Sequence, residues 1–184
     1  MITIIYMNKF SINCLNKYAK EEILSALTSI FGKEPPVIVC VGTDAVIGDG
    51  LGPLVGSMLK EKLCGKAYVF GCMDSPITAF DIESTVNLIK NAYPYSKVLA
   101  IDAALGKRAE IGTVKIVDEP LKPGLGVNKR LINVGNASMV GVVAEKSGEN
   151  PLLSVRMARI YRLAEEMSSA IACFIKSVTQ ETAL

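Results

Sequence analysis

The chain has 184 residues, half of them hydrophobic and 21% charged, with 20 basic against 18 acidic side chains. At roughly 150 residues per domain this is about one domain, expected to span 1–184. A chain of this size buries roughly 70% of its unfolded surface, enough to fold without a disulfide or a structural metal. The composition excludes a disordered chain, a coiled coil and a small disulfide scaffold. A formal charge of +2 with no long basic run, 6% aromatics and no Trp also lacks the footprint of a nucleic-acid binder.

Histidine is absent. Ser-His-Asp triads, Cys-His dyads and His-ligated zinc are therefore excluded, and acid–base work falls to carboxylates, Lys, Tyr, Cys or a bound metal. The five cysteines, Cys14, Cys40, Cys64, Cys72 and Cys173, are odd in number and contain no C-x-x-C pair. They read as buried free thiols of a reducing cytoplasm. Met1–Phe10 has no basic start or small-residue cleavage site, so no signal peptide is expected. No apolar run reaches the length of a membrane span.

In chain order, Ser11–Phe31 reads as a helix, with Ile23, Leu24, Leu27, Ile30 and Phe31 on one stripe. Gly32 and Pro35-Pro36 stop it. The β-branched run Val37–Val41 suits a strand buried on both faces of a parallel sheet. Gly42–Gly52 is a Gly- and Asp-rich loop, and Pro53 suits the first position of the helix that follows. Ala67–Gly71 is a second strand. Thr78–Asn91 is a helix with Ile82, Val86, Leu88 and Ile89 apolar, and Lys97–Asp102 is a third strand. Gly112–Val117 and Met139–Val143 read as further strands, separated by the loop-rich Pro120–Asn136. Pro151–Val178 reads as one long helix with Leu153, Met157, Ile160, Ala164, Met167, Ile171, Phe174 and Val178 on one stripe, read as core, although its period also suits a contact with a second copy of the chain. The order implies an α/β layered domain, a mostly parallel sheet flanked by helices.

Ligands of open α/β sheets sit beyond the carboxyl ends of the strands. Asp49, in Gly48-Asp49-Gly50-Leu51-Gly52-Pro53, lies in the loop after the first strand, and Asp102 terminates the third. Asp49 sits three residues too early to cap a helix whose capping slot is Gly52, and its glycine neighbours let the backbone come close to a ligand. A carboxylate at Asp102, after four apolar residues, is costly to desolvate unless paired, hydrogen-bonded or protonated. It reads either as an acceptor of backbone N–H groups or as an acid or base with a raised pKa. Asp44, in the same loop as Asp49, bonds its own turn or borders a substrate path. Pro123–Arg130, PGLGVNKR, is a second Gly-rich loop whose Asn128, Lys129 and Arg130 are substrate-binding candidates if it folds over the crevice. No phosphate-loop or dinucleotide fingerprint is present.

VCVGTDAVIGDGLGP, Val39–Pro53, resembles the first strand and acidic loop of the spore germination protease and of hydrogenase maturation proteases. IESTVNLIK running into VLAIDAALGKR resembles the spore protease's strand ending in Ile-Asp-Ala, and PGLGVNKR is similar to its Pro-Gly-rich loop. Length and motif order fit best with the shorter YyaC-type sporulation proteins of endospore-forming bacteria. The resemblance implies a three-layer phosphorylase/hydrolase-like fold and an aspartic-type endopeptidase without a cofactor, its two acids falling on Asp49 and Asp102. It implies protein or peptide substrates such as small acid-soluble spore proteins, and a place in the forespore or mother cell. Hydrogenase maturation proteases hold nickel with two acids and a His, and a chain without His cannot complete that site. The rival readings are a catalytically silent protein that binds a partner and a small-anion-binding module.

Overall fold

The computed structural model describes residues 9–123, 132–147 and 150–181. The elements run β1 (Lys9–Asn13), α1 (Ala19–Phe31), β2 (Val37–Cys40), a 3-10 turn (Ile47–Asp49), α2 (Leu51–Leu63) and β3 (Val69–Phe70). They continue with α3 (Ile82–Ala92), β4 (Val98–Gly106), a 3-10 turn (Arg108–Glu110), β5 (Thr113–Val117), β6 (Ala137–Glu145), a 3-10 turn (Pro151–Ser154) and α4 (Met157–Glu181). The strands form one six-stranded sheet in the order β1-β5-β6-β4-β2-β3. β6, β4, β2 and β3 are mutually parallel, whereas β5 pairs antiparallel with β6 and with β1.

Alternation along the central strands sends side chains to both faces. Ile38, Cys40, Leu99, Ile101 and Met139 pack with α1, α2 and α4 on one face. Val37, Val39 and Ala100 pack with Ile82, Val86 and Ile89 of α3 and with Leu121 and Val134 on the other. This is the expected three-layer α/β arrangement. Being covered on both sides is why β2 reads as an unbroken apolar run, all four of its residues buried.

Several boundaries differ from the sequence reading. The first helix starts at Ala19 rather than Ser11, and Ser11–Asn13 belong instead to the strand Lys9–Asn13: Phe10 and Ile12 alternate toward the core while Lys9, Ser11 and Asn13 are exposed. Pairing with β5 as a sheet edge overrides the weak helical period there. The last helix breaks into the Pro151–Ser154 turn and α4, so Leu153, and Met157 at the start of α4, are exposed rather than part of the core. From Ile160 onward the apolar stripe is buried within the chain. Leu88 is exposed on the outer side of α3, and Cys64 is exposed rather than buried. Cys64 ends α2 in the left-handed conformation, and Gly65 after it also has a positive φ, +84°.

Candidate active site

Between β2 and α2 the chain makes a tight connection over the carboxyl edge of the sheet. Val41 donates its N–H to the Ile101 carbonyl at 2.8 Å, and Gly42 donates to the Ile77 carbonyl at 2.9 Å. Gly42 has φ +139°, and a Cβ there would run into the Asp49 carbonyl oxygen. A Cβ on Gly52 would meet the Val41 carbonyl oxygen in the same way. Only glycine lets the turn and the first turn of α2 lie directly on the strand end, and that contact fixes where Asp49 sits.

α2 begins at Leu51 with Gly50 in the capping position, so Pro53 is its third residue rather than its first. Asp49 immediately precedes the cap, closer than the sequence reading placed it, and makes no capping bond. Instead its Oδ2 accepts the Thr43 N–H at 3.0 Å, back across the loop. Asp49 is half-buried. Burial raises its pKa and the Thr43 N–H opposes the rise, the behaviour of a partly desolvated carboxylate that is hydrogen-bonded in its charged form.

Asp102 does not terminate its strand, because β4 continues to Gly106. What ends is the neighbour. β2 pairs with β4 only as far as Cys40 opposite Ile101, whereas β6 stays paired alongside, Val140 opposite Asp102. Asp102 is thus the first β4 residue beyond the end of β2, which places it in the crevice without being a strand terminus. By alternation it shares the α3-side face with Val98 and Ala100. Its Oδ1 accepts the Ala103 N–H at 2.7 Å. Burial, and then the charge of Asp49, push its pKa up to about 8, with the Ala103 N–H pulling the other way. The two acids, 53 positions apart, therefore sense each other, and the Ile47–Asp49 turn packs against β4. The Thr43 N–H is a partner the sequence reading missed; backbone donors carry no residue-type signal.

Asp44 is exposed in the same loop. Asn128, Lys129 and Arg130 lie outside the described residues. Among the described residues no three Cys, Asp or Glu side chains gather as a metal site requires, and the chain holds no His. This donor set does not fit the two-acid-plus-His nickel site. No helix among the described residues is long and apolar enough to cross a membrane.

Residues 11–170 match the family described as "Protein of unknown function (DUF1256)". The chain is 39% identical over 128 residues to the uncharacterized protein YyaC of Bacillus subtilis (strain 168), a match covering 68% of this chain and 62% of that protein. The chain thus aligns with less than two thirds of its relative's length. The fold is similar to the crystal structure of the [NiFe] hydrogenase maturation protease HycI from Thermococcus kodakarensis KOD1, with a TM-score of 0.57 and 21% identity, over 82% of this chain and 98% of that one. At that identity the likeness concerns the fold alone. With the matched segment running from β1 through most of α4, the chain belongs to the DUF1256 family.

Proposed function

We propose that the protein is an aspartic-type endopeptidase in which Asp49 and Asp102 share one proton. The observation that carries this reading is geometric: Asp102 is the first β4 residue beyond the end of β2, and the turn that carries Asp49 packs against β4. Burial and then the Asp49 charge raise the Asp102 pKa, in keeping with that placement. Two carboxyl groups that disfavour each other's ionisation divide the roles of base and acid between them. Asp49, steadied in its charged form by the Thr43 N–H, is the base. Asp102, protonated at neutral pH, is the acid.

In the proposed reaction Asp49 takes a proton from water as the water oxygen bonds to the scissile carbonyl carbon. Asp102 passes its proton to the carbonyl oxygen. The tetrahedral intermediate collapses as the C–N bond breaks, with the Asp49 proton going to the amine and the hydroxyl proton returning to Asp102. The products are a carboxylic acid and an amine, and both acids regain their starting states. Asp44 and the Asn128, Lys129 and Arg130 loop are proposed to line the substrate path. The substrate is an extended segment of a protein, with small acid-soluble spore proteins, in the forespore or mother cell, as the first candidates.

The test is incubation of the purified chain with small acid-soluble spore proteins and with a reduced, unfolded carrier protein, fragments being read by mass spectrometry from pH 3 to 10. Cleavage is expected to follow a bell. The acid limb marks protonation of Asp49, whose pKa burial raises and the Thr43 N–H lowers, with a net rise from its ordinary value. The alkaline limb marks loss of the Asp102 proton near pH 8. Intact substrates at every pH, or cleavage unchanged in an Asp49→Asn variant, would contradict the proposal.

A further inference from the structure

We infer that a second site, at the opposite end of the sheet from the two acids, binds a small carboxylate with a short apolar tail. The inference stands apart from the peptidase reading. A cavity of about 280 Å³ opens between the end of α3, β2, β4 and residues 133–136. Its apolar wall is Val39, Val86, Ile89, Val98 and Val134. Val39 is only 1% exposed, so the cavity reaches from the surface into the α3-side core. At roughly 30 Å³ per small group, it holds about nine non-hydrogen atoms.

One side of the cavity is aromatic. Tyr93 lines it, its ring centroid 4.4 Å from that of Tyr68 and 6.1 Å from that of Phe70. The polar lining offers donors. Lys90 is the one charged side chain on the wall among the described residues, and Ser96 lies close by in sequence. Asn133 and Asn136 also line the wall, and Asn136 already spends its side-chain oxygen on the Val98 N–H at 2.8 Å, so its amide NH2 is the side-chain group with hydrogen-bonding capacity to spare. A deep apolar floor beneath a cation and neutral donors selects an anion with a hydrocarbon tail. A bare phosphate gains nothing from the floor, and an amine meets Lys90 as a like charge.

The test uses hexanoate, hexylamine and hexan-1-ol as probes. Binding is followed by methyl and amide NMR shifts of the full chain. Hexanoate is expected to saturate and to move the methyl signals of Val39, Val86, Val98 and Val134. It should bind at least tenfold more tightly than hexylamine, and Lys90→Gln should weaken it at least fivefold. Lys90 is exposed, so this variant is expected to keep the fold, and its unperturbed spectrum serves as the check. A Val86→Met variant, which narrows the cavity, should weaken hexanoate and hexan-1-ol alike. No saturation, equal affinity for the amine, or shifts at other residues would overturn the inference.

Discussion

An Asp102→Asn variant is expected to lose peptide cleavage by about a thousandfold, the scale of a general acid's contribution, while losing less stability than the parent as the pH rises. The amide has the shape of the protonated acid but no proton to release. In the parent the folded-state pKa of about 8 stands above the ordinary 3.8. Between those values the folded chain keeps a proton that the unfolded chain gives up, so raising the pH favours unfolding. The contribution of Asp102 is therefore complete below the unfolded pKa and is lost on the way up to about pH 8. One group in this window costs about 1.4 kcal/mol per pH unit. Urea unfolding at pH 5, 6 and 7 is expected to show that extra slope in the parent and not in Asp102→Asn. Parallel slopes would mean that Asp102 ionises in the fold much as it does in water.

Gly52→Ala is expected to destabilise the protein by about 3 kcal/mol, the upper part of the range for forced overpacking. For a chain of this length that lowers Tm by roughly 6–12 °C. The sign runs against local propensity, since Ala is favoured over Gly inside a helix by about 1 kcal/mol. The new methyl meets the Val41 carbonyl oxygen, with the Val41 carbonyl carbon 2.9 Å and its nitrogen 3.1 Å away. These are backbone atoms held in the sheet by the bond to Ile101, so α2 must lift off the end of β2. The turn carrying Asp49 moves with it, and cleavage is expected to fall together with Tm. A stabilised Gly52→Ala protein would show that the α2–β2 contact is looser than described. Thermal unfolding of the two proteins measures the difference directly.

The layered architecture was legible because β2 and β4 are apolar without alternation, which only a sheet covered on both faces tolerates. Asp49 and Asp102 stood out for related reasons: one is an acid among glycines, the other an acid directly after four apolar residues. Their places were less legible. Asp102 reads as a strand end because polarity usually marks one, yet β6 carries β4 on to Gly106 and it is β2 that stops. That depends on how far a neighbour extends, which no local pattern records. β1 was hidden because its five residues give only two core positions and take their stability from β5. The Gly42 and Gly52 contacts are likewise tertiary. The sequence shows that glycines are there, but not which backbone atoms press on them.

The central claim is that two carboxyl groups distant in the chain share a proton at neutral pH. It is tested most directly by following the carboxyl-carbon NMR signals of Asp49 and Asp102 through a pH titration, in the parent and in Asp49→Asn. The account predicts that Asp102 titrates near pH 8 in the parent and moves to lower pH in Asp49→Asn, because one of the two causes of its rise is gone. An Asp102 signal that titrates in the ordinary carboxylate range, or does not move when Asp49 is replaced, would contradict it.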